Sequence, residues 1–188
     1  MRSYIFIFFI CLGFMSCTSS SKKVSDKSPK SDLEGFAEKT IVKEERLVNF
    51  TSVNSQDLFR LSVGKNDLLR ATVSFDVLNK EGKIIYHDEF DAIELVDRQV
   101  LNEQEPSEEE RIAYINGRLM SFFADSHFLR PAISTTMSFN PEIDVKKYWQ
   151  TIKEEKAIGF IYKIGLSTEK YIAFDRNEGK VVVYKELK

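Results

Sequence analysis

The sequence predicts an α+β fold: an antiparallel sheet of several strands with one or two helices packed on one face. Three observations carry that prediction. Between Leu69 and Val77 apolar and polar residues alternate one for one, the period of a strand with one buried face. From Ser107 onward the apolar spacing becomes that of an amphipathic helix. After Ala157 the period returns to two and holds almost to the end of the chain, so strands precede the helices and strands follow them.

Composition allows one core of useful size. The chain has 188 residues, 43% hydrophobic and 30% charged, which is ordinary globular usage. The core is expected to begin near Ile41. Leu47, Phe50 and Val53, then Leu58 to Val63, are short apolar patches suited to strands or irregular edges. In the clearer segment that follows, Leu69, Ala71, Val73, Phe75 and Val77 form the buried face, and Arg70, Thr72, Ser74 and Asp76 the wet one. Asn79-Lys80-Glu81-Gly82 makes a turn in which Gly82 is free to take positive φ, and Lys83 to Leu95 returns antiparallel. On the return Ile84, Tyr86 and Phe90 share one parity while Ile93 and Leu95 share the other, which places a β-bulge or a strand break near Asp91.

Residues 97–106 are polar and acidic and read as a loop. Ser107-Glu108-Glu109-Glu110 opens a helix: Ser107 caps it, Glu110 completes a capping box, and the carboxylates suit its N-terminus. Ile112, Ile115, Leu119 and Phe122 keep helical spacing, with an end near Ala124. Asn140-Pro141 predicts a second helix start, with Tyr148, Trp149 and Ile152 as the buried side and an end by Lys156. In the last third, Ile158, Phe160, Tyr162, Ile164 and Leu166 alternate with their neighbours. Tyr171 to Asp175, a turn at Arg176-Asn177-Glu178-Gly179, and Lys180 to Leu187 complete a meander.

The residues that could carry chemistry are few. His87, Glu89 and Asp91 share one strand face if no bulge intervenes, a period-two arrangement that could offer imidazole and carboxylate to a divalent metal. The plain alternative is a solvated strand face, and no metal site is assigned. Asp125-Ser126-His127 holds the residue types of a hydrolase triad, but adjacent residues cannot point at one another as a relay requires. Glu103, Glu105 and Glu108 to Glu110 lack an EF-hand spacing and read as a solvated lead into the helix. Tyr148 and Trp149 could stack on a sugar or anchor a partner; alternatively one packs in the core and the other lies at its edge. There is no nucleophile elbow, zincin helix, P-loop or dinucleotide fingerprint. The sequence therefore predicts no catalytic residue, no cofactor and no enzyme activity. A formal charge of −2 leaves no footprint for nucleic acid.

The N-terminal residues carry a different signal. Arg2 precedes an uncharged apolar run from Tyr4 to Phe14, which leads into Met15-Ser16-Cys17. That run is too short for a membrane-spanning helix, which needs roughly 20 residues. The segment resembles a bacterial lipoprotein signal peptide: charged start, short apolar stretch, a large apolar residue three before the cut, a small one just before it, and cysteine just after. The match departs from the common pattern in having Phe14 in place of Leu, and Met15 where a small residue is usual. The resemblance implies cleavage between Ser16 and Cys17, acylation of Cys17 (diacylglycerol on the sulfur and a fatty acyl chain such as palmitate on the amine), and anchoring in a membrane. Thr18, not Asp, follows the cysteine and favours an outer-membrane anchor facing the periplasm, with surface exposure as the other outcome.

The expected organisation is then a signal peptide at 1–16, a lipidated cysteine and flexible tether at 17–40, and one α+β domain at 41–188. Residues 18–34 are rich in Ser, Lys and Asp, a composition that cannot bury a core. Cys11 would leave with the signal and Cys17 would be acylated. The chain has only these two cysteines, so the mature protein would have no free thiol, no disulfide and no thiolate metal site. The function this implies is a lipid-anchored cell-envelope protein that binds or scaffolds an envelope protein or glycan without catalysis. The alternative is a small-ligand-binding domain of the cystatin-like or nuclear-transport-factor-like kind, with a curved sheet around a cavity; Gly159 and Gly165 on one late strand would permit the curvature.

Overall fold

Within each sheet every strand pairs with the next one along the chain. The structure, a computed structural model, describes residues 40–65, 67–97, 106–165 and 167–188. Strands β1 (Thr40–Ser52), β2 (Ser55–Gly64), β3 (Thr72–Leu78) and β4 (Ile84–Asp91) form an antiparallel sheet in sequence order. Helix α1 (Glu108–Met120) and a two-residue strand β5 (Phe128–Leu129) follow, then helix α2 (Lys146–Glu154). Strands β6 (Gly159–Ile164), β7 (Thr168–Asp175) and β8 (Lys180–Leu187) complete a second antiparallel sheet in the order β5-β6-β7-β8. The fold is α+β with antiparallel pairing throughout, its strands divided between two sheets.

The division follows from side-chain parity. In the first sheet Phe59, Leu61, Val73, Phe75, Val77 and Phe90 point to one face, and in the second Phe160, Tyr162, Ile164, Ile172 and Val181 do the same; all are buried in one cluster. The Phe59 and Phe160 ring centroids are 5.3 Å apart, as are those of Phe75 and Tyr162, so the two apolar faces are packed on each other. Helix α1 adds Ile115 and Leu119, and the turn after it adds Phe122 and Phe123, whose rings lie 5.5 and 5.6 Å from that of Phe75. Helix α2 lies on the far face of the second sheet, where Trp149 and Ile152 pack with Ala173, Val182 and Tyr184. Gly159 is required there: a Cβ would stand 2.9 Å from the Ala132 Cβ and 3.1 Å from the Tyr184 hydroxyl.

Local signals end several elements where the sequence placed them. Ser107 Oγ accepts from the Glu110 amide and the Glu110 carboxylate accepts from the Ser107 amide, the reciprocal capping box. Asn79 Oδ1 accepts from the amides of Glu81 and Lys83, and Gly82 has φ +77°. The turn at 176–179 is held by Asp175 Oδ1, which accepts from the amides of Asn177 and Glu178.

Other expectations change. Residues 68–70 form a 3-10 turn capped by Asp67, not the start of β3. The strand break predicted near Asp91 is present, because β4 stops there and 92–95 form a second 3-10 turn. An irregularity also falls earlier, between Val77 and Leu78, so that Leu78 pairs with Ile84 and Val77 with Tyr86. Ile84 therefore leaves the Tyr86–Phe90 parity and is 39% exposed. Val53, expected in an apolar patch, sits in the β1–β2 turn at 84% exposure. Helix α1 stops at Met120, four residues before Ala124. Helix α2 starts at Lys146 because Asn140 closes a turn instead, its carbonyl accepting from Ile143 and Asp144. Gly165 has φ +66° in the β6–β7 turn and so does not curve a strand. The signal segment 1–16, the cysteine and tether at 17–39, and Glu103 and Glu105 lie outside the described residues.

Candidate functional site

Parity that buries Phe75 and Phe160 also sends four polar side chains between the sheets. Tyr86 and Asp88 lie on the inward face of β4, Tyr162 on that of β6, and Lys170 on that of β7. The Tyr162 hydroxyl donates to Asp88 Oδ2 at 2.5 Å, and Lys170 Nζ donates to the same oxygen at 2.7 Å. The Tyr86 and Tyr162 hydroxyls are 2.5 Å apart. Since Tyr162 spends its one proton on Asp88, Tyr86 is the donor in that contact. The result is a directed chain from Tyr86 through Tyr162 to a carboxylate shared with an ammonium, and it ties β4 to β6 and β7. Lys170 also stands 5.9 Å from the centroid of the Tyr162 ring.

Both phenols are held neutral. Burial pushes each above its ordinary value of 10.0, and the nearby Asp88 carboxylate pushes in the same direction. Burial raises Tyr184 as well; its hydroxyl donates to the Ala132 carbonyl at 3.0 Å. Folded-state values above the unfolded one mean stability that is fully present below the ordinary tyrosine range and is lost as pH rises through it toward the folded values. We expect Tyr86, Tyr162 and Tyr184 to ionise only as the domain unfolds. A combined titration of tyrosinate absorbance and far-ultraviolet circular dichroism checks this; ionisation of every tyrosine near pH 10 with the fold intact would contradict it.

The structure places the sequence-picked residues as follows. His87 and Glu89 are on the outward face of β4, as period two requires. His87 Nδ1 lies 2.7 Å from Asp76 Oδ1, and its Nε2 lies 3.5 Å from Glu89 Oε1. Asp91 ends the strand opposite Thr72. Among the described residues no three His, Cys, Asp or Glu side chains gather as a metal group. His127 Nδ1 faces the Phe122 carbonyl at 2.8 Å, and Asp125 pairs with Arg46, so the Asp-Ser-His trio makes contacts outside itself. Trp149 is 6% exposed, and its ring meets Phe139 edge-on at 5.7 Å. Tyr148 is half-buried with Lys147 Nζ over its ring at 5.3 Å.

The sequence reading missed Asp88, Tyr162 and Lys170 as a unit. A signal existed: Asp88 falls on the apolar parity between Tyr86 and Phe90, and Lys170 on that of Ile172 and Phe174. A charge on a buried parity requires a partner.

At one end of the domain two shallow clefts, of about 100 and about 130 Å³, share Thr51 and Phe174. Both are well below the ~300 Å³ where small-molecule sites begin. Asp57, which lines the second, is only 1% exposed, its carboxylate accepting from the amides of Phe50 and Thr51 and from the Thr51 hydroxyl. Among the described residues no helix is long and apolar enough to cross a membrane.

Fold and site together define an α+β domain of two face-packed antiparallel sheets with an internal tyrosine–aspartate–lysine chain. No protein-family model matches the chain, and no curated protein or solved structure matches it.

Proposed function

We propose that this chain is a lipid-anchored cell-envelope protein whose domain binds or scaffolds another envelope component without catalysing a reaction. The observation that carries the reading is the run Phe14-Met15-Ser16-Cys17 behind a short apolar stretch, the pattern a lipoprotein peptidase reads. The anchor is in the outer membrane with the domain facing the periplasm. The Ser- and Lys-rich segment 18–34 reaches ~55 Å when fully extended, enough to hold a domain clear of a bilayer surface. Binding at the surface, in preference to an internal ligand, is supported by the interior itself: Phe59, Phe75, Phe122, Phe123, Phe160 and Tyr162 pack between the sheets with neighbouring ring centroids 5.3–6.0 Å apart.

The test is metabolic labelling of intact cells with an alkyne analogue of palmitate. The native chain should take up label and sediment with membranes. Cys17→Ala should lose the label and move to the soluble envelope fraction with its fold unchanged. A native chain without label, or a Cys17→Ala chain that still sediments with membranes, would overturn the anchor.

A further inference from the structure

The outward face of the first sheet carries two rows of side chains at matched registers. Leu47, Leu58, Leu78 and Ile84 pair successively across β1, β2, β3 and β4 and make one apolar stripe spanning the sheet. Leu47 is 58% exposed and Ile84 39%, unusual for residues at the two ends of a continuous apolar row. Beside it Glu45, Arg60, Asp76 and His87 pair in the same strand order. Within one copy they are joined as two couples, Arg60 Nε to Glu45 at 2.8 Å and His87 Nδ1 to Asp76 at 2.7 Å. The row thus alternates acid and base across four strands.

That order has a geometric consequence. A two-fold axis parallel to the strands, passing between β2 and β3, reverses strand order and preserves register. It lays Leu47 over Ile84 and Leu58 over Leu78 of a second copy. In the next row it lays Glu45 over His87 and Arg60 over Asp76. Each acid meets a base and each apolar residue an apolar one. We propose that this face is an isologous interface between two copies of this chain, packed sheet on sheet about that axis. Such packing sets backbones ~10 Å apart, and a self-complementary patch is what a closed two-fold dimer requires. Ser62 and Ser74 pair across β2 and β3 on the same face. The proposal is independent of the lipid anchor, since it uses only residues of the described sheet.

The test uses the full chain with Cys11→Ser and Cys17→Ser, which removes its own thiols. Two differently tagged versions, one with Leu47→Cys and one with Ile84→Cys, are mixed with a short bismaleimide. The two-fold puts Leu47 of one copy opposite Ile84 of the other. Two Leu47 positions are offset sideways by three strand spacings, ~14 Å. Mixed-tag dimers should therefore exceed the same-residue dimers of either version several-fold, and exceed those of a Val53→Cys control at the β1–β2 turn. In sedimentation equilibrium Leu47→Glu should raise the dimer dissociation constant at least roughly tenfold, the equivalent of about 1.4 kcal/mol. Mixed-tag yields no higher than the control, or same-residue dimers in excess, would overturn the interface. So would a Leu47→Glu chain that stays monomeric like its parent but loses thermal stability, which would assign the stripe to another segment of the same chain.

Discussion

Phe75→Asp should abolish the folded state. Phe75 is fully buried at the centre of β3, with six rings around it: Phe59, Tyr86, Phe122, Phe123, Phe160 and Tyr162, at 5.3–5.9 Å. Removing the ring alone costs ~3–5 kcal/mol. An unpaired carboxylate in its place adds several more, or forces a proton onto the acid. Set against a total of about 5–15 kcal/mol for a domain, the sum removes the native state. Near-ultraviolet circular dichroism and a thermal melt read it directly. A soluble Phe75→Asp protein with a cooperative melt would mean that the two sheets do not pack through this residue. Phe75→Leu, which keeps the site apolar, should remain folded with a lower midpoint.

Asp88→Ala should cost about 2–3 kcal/mol in urea denaturation. Its carboxylate takes both the Tyr162 hydroxyl and the Lys170 ammonium, so its loss strands a donor and a cation between the sheets. Removing one partner of a fully buried pair costs ~3–5 kcal/mol. Asp88 and Lys170 retain 18% and 20% side-chain exposure, so water relieves part of that. The double variant Asp88→Ala/Lys170→Met, compared with each single variant, should recover much of the loss, because the cation goes with its partner. Additive losses in that cycle would show that the two side chains act separately.

Much of the local architecture was legible from the residues alone. The alternation at 71–77, the capping box of Ser107 and Glu110, the Gly82 turn and the meander from 159 to 187 all depend on relations two to four residues apart. Backbone geometry and side-chain period act at that range. Errors came where a local signal had two outcomes. Asn140 could cap a helix or close a turn, and it closes a turn. Ile84 shared parity with Tyr86 until the register irregularity beside Leu78 moved it to the outer face.

By itself the sequence determined the class of the fold and the order of its main strands and helices. Each of these follows from side-chain type and short spacing. Only the tertiary structure decided that the strands form two sheets and that Tyr86, Asp88, Tyr162 and Lys170 meet. The members of that chain are joined across 74 to 82 residues of sequence. No period in the sequence encodes contacts at such separations. They arise because two apolar sheet faces bury each other, and that burial fixes which inward-pointing polar groups must become partners.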